Sequence, residues 1–514
     1  MKGESKMANG YTTNDPHELL ENMTTLRDEI KVEGEKIYSS WENEIERNAF
    51  RESALNLSYY LALRNNDINQ LQTDLIPWGL SSLGRLESKT LVTLDAVIAT
   101  LHDVIDDKGD FPHPEPKEFD VGRRRLQKNT KKVFGKKPSG RTTRIMVTMP
   151  DEAISDKEFL TDLIQEGMNV ARINCAHNTQ ADWEKMIRNI REVSKELKQD
   201  VRILMDIAGP KIRTEWVYSH LSKPKVKEGD SIRITKNFDV LPENDVNFTA
   251  GCSLNEIYDQ VEVGQAVLYD DGSIESEVKE VTKDSILLNV TKTKGKSVRV
   301  KAEKGLNFPN NQFVFDSLDE KDKNDIAFAC EFADIIGCSF VNTGADIQLI
   351  QKEIKVNLNE NSKDMALMAK IETVRATRNL PEIIFTAASK NPFSVMIARG
   401  DLAAESGYID LAGFQQEIMW ISEAGDIPVV WATEVLDKLV SDGVPTRSEV
   451  TDAAEGTRAD CIMLNKGDYI LDGVITLNRI IERMEPIQYK KTPILRKLNF
   501  RHVKRENERY ADKE

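Results

Sequence analysis

Cysteine is scarce and unpaired in this sequence. Cys175, Cys252, Cys330, Cys338 and Cys461 are the whole set among 514 residues, and no two share a CxxC or CxxH spacing. That pattern holds no zinc site and reads as reduced, mostly buried thiols of a cytoplasmic protein. Long hydrophobic runs are lacking too. No window reaches the roughly 20 apolar residues of a membrane span, and the opening MKGESKMANGYTTND has no apolar signal core. Excess positive charge is absent. Lys and Arg number 70 against 85 Asp and Glu, a net −15, which recommends neither nucleic acid nor an anionic membrane as partner. There is no Walker loop and no GxGxxG between strand and helix, so any bound phosphate must be held by side chains.

What is present suits a soluble chain of two to four domains: 40% hydrophobic and 30% charged residues. Residues 1–14 are expected to be disordered. Asp15-Pro16-His17-Glu18 is a helix start, followed by Leu19, Met23, Leu26 and Ile30 on one helical stripe. A second helix covers Ser53 to Arg64. A third carries Leu91, Leu94, Ile98, Leu101 and Ile105. Residues 15–106 therefore read as a helical domain whose stripes are core rather than cofactor pocket. Residues 107–140, with FPHPEPKEF and GRRRLQKNTKKVFGKKPSGR, read as a proline-rich, basic linker.

From Thr142 apolar strands and amphipathic helices alternate, beginning RIMVTM, KEFLTDLIQEGM, NVARINC. Near Glu215 short alternating strands with turns take over, and after Leu306 the first rhythm resumes. About eight strand-helix units predict an α/β TIM barrel over 141–217 and 305–485, with a β lid domain at 218–304 and a basic tail at 486–514. Active sites of such barrels lie at the C-terminal strand ends. Those ends hold Arg172, Asn174, His177, Asp206, Lys211, Arg213, Lys370, Glu372, Arg399, Gly400, Asp401, Trp431 and Thr433. Glu372 and Asp401 are a carboxylate pair fit for Mg²⁺. Lys370 shares a strand face with Glu372. Arg172 and Arg213 suit phosphate oxygens. Lys370 with Glu372 alone reads as a structural ion pair. Five strand ends converging point to phosphoryl transfer or enolate chemistry on a phosphorylated acid. Arg399-Gly400-Asp401, also a cell-adhesion tripeptide, ends an apolar strand here and is expected at the barrel mouth.

On these residues the sequence resembles the pyruvate kinase family. The stretches are GMNVARINCAH (167–177), LMDIAGPKIRT (204–214), YDDG (269–272), KGLNFP (304–309), AKIE (369–372), IARGDL (397–402), WATEVLDKL (431–439) and PTRSEVTDAAEGTRADCIML (445–464). The resemblance covers about residues 141–480. It implies a cytoplasmic enzyme that transfers phosphate from phosphoenolpyruvate to ADP, with Mg²⁺ (or Mn²⁺) on Glu372 and Asp401. It further implies Lys370, Arg172 and Thr433 as catalytic residues. Arg172, Arg213, Lys370, Gly400, Asp401 and Thr433 would bind substrate. His177, Lys304 and Asp271 would lie near the nucleotide, and Asn174 with Asp206 at a monovalent-cation position.

The departures carry expectations of their own. MPDEA (149–153) replaces a glycine-proline-alanine-serine element, and Ala176 and Ile207 replace two hydroxyl residues of the K⁺ position. Lys211 stands where many members have glutamate, so its ammonium is expected to substitute for K⁺. The serine-glycine-glutamate-threonine loop shrinks to Leu464-Asn465-Lys466-Gly467-Asp468. After about Glu485 only the basic tail is expected, without the usual regulatory domain, so sugar-phosphate allostery should be absent. The helical domain leaves open a homo-oligomer or a protein partner. Two other readings compete: a catalytically altered or inactive regulatory relative, and a Mg²⁺-enolate lyase or aldolase barrel.

Overall fold

Asp15 starts the first helix by accepting the His17 amide at 2.9 Å on its carboxylate. The computed structural model describes residues 15–106, 111–219, 221, 224–236, 246–270, 272–309, 311, 313, 318–358 and 365–493. Residues 1–14, expected to be disordered, and most of the basic tail lie outside them. Helices α1 (Pro16–Trp41), α2 (Asn48–Arg64), α3 (Asn69–Leu75) and α4 (Thr90–Val104) form the N-terminal layer, with Leu19, Met23, Leu26 and Ile30 of α1 buried.

The stretch read as a linker is a correction. Residues 121–134 form helix α5 (Val121–Phe134), burying Leu126, Thr130, Val133 and Phe134 at spacings of four, three and one. The dense lysines and arginines mask this stripe in the sequence. The end of α5 enters the barrel: Val133 and Phe134 share a core with Met146, Val170, Leu204, Met368, Met396 and Val430.

The barrel strands are β1 (Arg144–Thr148), β2 (Met168–Asn174) and β3 (Arg202–Ile207), separated by α6 (Lys157–Gln165) and α7 (Gln180–Leu197). The chain then leaves for a seven-stranded sheet: β4 (Thr214–Tyr218), β5 (Ser231–Thr235), β6 (Phe248–Cys252), β7 (Ala266–Tyr269), β8 (Ile274–Val281), β9 (Ser285–Thr293) and β10 (Leu306–Asn307). It begins at Thr214 and ends at Asn307, slightly wider than the expected 218–304, and has its own apolar core around Phe248, Tyr258, Val267 and Leu288. The barrel resumes with α8 (Glu320–Phe332), β11 (Ile335–Cys338), α9 (Gly344–Asn357), β12 (Ala366–Ile371), α10 (Val374–Arg378) and α11 (Leu380–Lys390). It finishes with β13 (Phe393–Ala398), α12 (Arg399–Ser406), α13 (Tyr408–Ala424), β14 (Val429–Ala432), α14 (Asp437–Asp442), α15 (Arg447–Gly456), β15 (Cys461–Leu464) and α16 (Ile470–Met484). Pairing closes in chain order, β1-β2-β3-β11-β12-β13-β14-β15 and back to β1, every ladder parallel. Strands covered on both faces read as near-continuous hydrophobic runs, and RIMVT, FSVMIA and CIML are wholly buried.

The helical layer is not a detached module. Its core is continuous with that of the barrel helices. Trp41 stacks on Phe385 of α11 at 5.1 Å. Asn56 Nδ2 donates to the Ala424 carbonyl at 2.8 Å, and Arg47 to that of Ala388 at 3.0 Å. A short hairpin, β16 (Gln488–Tyr489) and β17 (Thr492–Pro493), occupies the start of the expected tail. Its Lys490 pairs with Asp460 of the barrel at 2.9 Å, and Lys491 pairs with Glu87 of the helical layer.

Asp426, fully buried, locks the joint. Its Oδ2 accepts from Ser53 Oγ at 2.7 Å and Arg125 Nε at 2.8 Å. Burial pushes its carboxyl up to about 7, against the pull of Arg125 and Ser53. The unfolded chain ionises aspartate near 4, so between about pH 4 and 7 the folded state holds the extra proton and stability falls as pH rises through that window. Asp426→Asn removes this titration. The thermal midpoint of the variant should decline less than that of the parent between about pH 5 and 8, measured by circular dichroism. An equal decline in both proteins would place the pH dependence elsewhere.

Candidate active site

The site is built where β2, β3, β12 and β13 end on the same side of the barrel. Register sets Asn174 of β2 beside Asp206 of β3, and Lys370 of β12 beside Met396 of β13. Arg172 reaches Asp206 Oδ2 with Nε at 2.8 Å and Nη2 at 2.6 Å, while Nη1 donates to Thr148 Oγ1 at 2.9 Å. Lys370 Nζ lies between two carboxylates, 3.4 Å from Asp206 and 3.1 Å from Glu372, and donates to Ser339 Oγ at 2.9 Å. Glu372 Oε2 accepts the Phe340 amide at 2.5 Å. Lys211 Nζ donates to Asp401 Oδ1 at 2.6 Å, with the Phe340 ring 5.4 Å away. Positive and negative groups thus alternate from Arg172 to Asp401.

Burial alone would neutralise these groups, and pairing prevents it. Desolvation works to raise the Asp206 carboxyl, but Lys370 and Arg172 hold it below the ordinary range. Lys370 is pulled down by burial and lifted above its usual value by Asp206 and Glu372. Glu372 goes up, through burial and then the nearby charge of Asp401, despite Lys370 and Lys211. Two carboxylates that repel at a strand-end mouth are a fit for a divalent cation. Among the described residues no group of three or more His, Cys, Asp or Glu forms a metal cluster. An ion held by these two carboxylates would have to complete its shell with water or ligand, as Mg²⁺ commonly does.

Thr433 closes one wall. It sits at φ +63°, a left-handed conformation costly for a β-branched residue. Arg399 enforces it, donating from Nη2 to the Thr433 carbonyl at 2.6 Å and from Nε to that of Ala432 at 2.8 Å. The guanidinium also lies 4.6 Å over Trp431 and pairs with Asp452. Thr433 Oγ1 accepts the Gly400 amide at 2.8 Å. A methyl group added to Gly400 would meet nothing nearer than Thr433 Oγ1 at 3.8 Å, so packing within the protein does not require glycine there. Arg399-Gly400-Asp401 is therefore tied into the barrel mouth and is no exposed adhesion loop.

The remaining expected residues have other partners. Asn174 Oδ1 accepts the Ala176 amide at 3.1 Å. His177 is exposed, and its imidazole is held below its usual value by partial burial, then by Lys466 and Arg213. Arg213 stands at the neck of the lid, bridged to Gly305. Lys304 pairs with Asp270 at 2.9 Å. Asp271 lies outside the described residues. Lys211 pairs with Asp401 at 2.6 Å. Residues missed in the sequence are Thr148, Ser339, Phe340 and Glu405. Glu405 accepts the Val374 amide at 2.9 Å, and its carboxyl is pushed up to about 7 by burial with Asp401 adding to it. Reading the end of IIGCSFVNT like the other strand ends would have reached Ser339 and Phe340.

The family described as "pyruvate kinase, barrel domain" matches residues 140–473. The chain belongs to the pyruvate kinase family. It is 31% identical to the pyruvate kinase of Clostridium perfringens over 356 residues, 67% of this chain and 70% of that one. Pyruvate kinase 2 of Synechocystis is 32% identical over 357 residues, and the match spans 57% of its length. The crystal structure of a pyruvate kinase from Cryptosporidium parvum superposes with a TM-score of 0.61 at 29% identity, covering 69% of this chain and 72% of that one. The helical layer before residue 140 lies outside the family match. Within this pyruvate kinase barrel, Asp206→Ala leaves two buried cations without their shared carboxylate. Denaturant unfolding should show a loss of about 3–5 kcal/mol, and a loss near zero would mean Glu372 alone neutralises Lys370.

Proposed function

We propose that this chain transfers the phosphoryl group of phosphoenolpyruvate to ADP, giving pyruvate and ATP. The observation that carries it is Lys370 Nζ, buried between Asp206 and Glu372 at the strand ends. The phosphorus–oxygen bond to the enol breaks, a bond to the terminal oxygen of ADP forms, and the enolate takes a proton at its methylene carbon. Lys370 stabilises charge on the moving phosphoryl group and on the enolate oxygen. Arg172 and Arg213 grip phosphate oxygens. Gly400 and Asp401 border the substrate carboxylate, where the open space over Gly400 admits a ligand, and Thr433 lies near the protonation step. His177 and Lys304 face the nucleotide. Glu372 and Asp401 hold Mg²⁺ or Mn²⁺, which when bound neutralises phosphoryl and enolate charge.

The Lys211–Asp401 pair at 2.6 Å favours a second reading, a catalytically altered relative in which a lysine blocks one metal carboxylate. The two readings separate in a coupled assay for pyruvate with Mg²⁺. Parent protein should turn over, and Lys370→Met and Glu372→Gln should each abolish turnover with the fold intact. Folded parent protein without turnover would leave the second reading standing. With an internal ammonium already among the carboxylates, the rate should be the same with and without K⁺. A rate that requires K⁺ would remove Lys211 as the substitute cation.

A further inference from the structure

At the opposite end of the barrel is a cleft of about 700 Å³. Its floor is the start of β3, β11 and β12. Its walls are the last two turns of α5 and the junction between α1 and α2. Five cationic side chains line it, Arg47, Lys128, Lys131, Lys132 and Arg202, against one carboxylate, Asp334. That carboxylate is already neutralised: Arg191 reaches it at 2.7 Å, Arg202 at 3.3 Å and the Ile203 amide at 2.8 Å. In a chain of net −15 a cleft of this sign is unusual.

Helix α5 makes the imbalance. VGRRRLQKNTKKVF has six basic residues and no acidic one. Its arginines are used within the protein: Arg123 pairs with Asp120 at 2.9 Å, Arg124 donates to the Lys117 carbonyl at 3.2 Å, and Arg125 holds Asp426. Its lysines differ. Lys128, Lys131 and Lys132 lie at i, i+3 and i+4, on one helix face, where like charges repel. All three are exposed, and neither Lys128 nor Lys131 has an ion pair among the described residues. The negative end of the helix dipole accounts for cations in the last turn, but not for Lys128 one turn earlier or for the cleft the lysines face.

We propose that this cleft binds a small phosphate-bearing anion, at a site separate from the active site. Asn48 and Asn129 add neutral polar groups, and Ala49, Met365 and Ala366 give an apolar floor, a lining suited to a phosphorylated organic molecule. The floor strands β3 and β12 carry Asp206, Lys370 and Glu372 at their other ends, about 17 Å along a six-residue strand. An anion bound here therefore sits on the elements that position the catalytic charges.

Inorganic pyrophosphate, titrated calorimetrically into the full chain at low salt, is the test. Binding is expected to persist in Lys370→Met/Arg213→Gln and to weaken about tenfold or more in Lys128→Glu/Lys131→Glu, with Lys128→Gln/Lys131→Gln intermediate. Lys128 and Lys131 are both exposed, and unchanged circular dichroism checks the fold of each double variant. Binding lost only with Lys370 and Arg213 would overturn the proposal in favour of the active site alone. No binding at millimolar pyrophosphate would also overturn it. So would tighter, lysine-dependent binding of an acidic peptide, which would make the cleft a protein-docking surface.

Discussion

Arg172, Asp206, Lys370, Glu372, Lys211 and Asp401 stand as alternating charges at the barrel mouth, and each is tolerated only because of its neighbours. Asp206 and Glu372 are almost wholly buried. A lone carboxylate in that position would be neutralised by protonation. Paired, Asp206 is held ionised and Lys370 is held charged. The row draws on β2, β3, the segment after β3, β12 and the start of α12. Those elements meet only when the sheet closes, so the barrel and the charge row depend on each other.

Around that row, backbone groups do the positioning. The Phe340 amide fixes Glu372, and the Gly400 amide fixes Thr433. Arg399 spends its whole guanidinium on Ala432, Thr433, Asp452 and the face of Trp431. The left-handed turn at Thr433 is therefore maintained by a network rather than by a permissive residue, a form of strain that accumulates at functional sites. This is why an apolar strand ends in arginine, glycine and aspartate: one braces the wall, one leaves space, and one supplies a carboxylate.

The far end of the barrel is closed by α5, and the helical layer rests on α11 and α13. Trp41 on Phe385, Asn56 on Ala424, and Ser53 with Arg125 on Asp426 bind it to helices that also pack on barrel strands. The hairpin at 488–493 adds a second tie through Lys490 and Lys491. The layer lies outside the pyruvate kinase match, yet it shares that domain's hydrophobic core.

The barrel was legible in the chain itself. Strands buried on both faces read as apolar runs, so NVARINC, VRILMDIAG, MALMAKIE and FSVMIARGD identify themselves, and their last residues name most of the site. The lid was equally clear, because strands with one solvated face alternate. Helix α5 was not, since an apolar stripe of Leu126, Val133 and Phe134 is diluted by the lysines and arginines around it, and only the barrel end explains what that stripe covers. Nor was the partner of Lys211. Sequence placed an ammonium among the strand ends, but whether it reaches Asp206 or Asp401 depends on the path of the chain after Gly209, and folding set it on Asp401. Local pattern determines which face of an element is buried. Which charges become neighbours is decided by strands far apart in sequence closing on one another, because pairing energies depend on distances that exist only in the folded barrel.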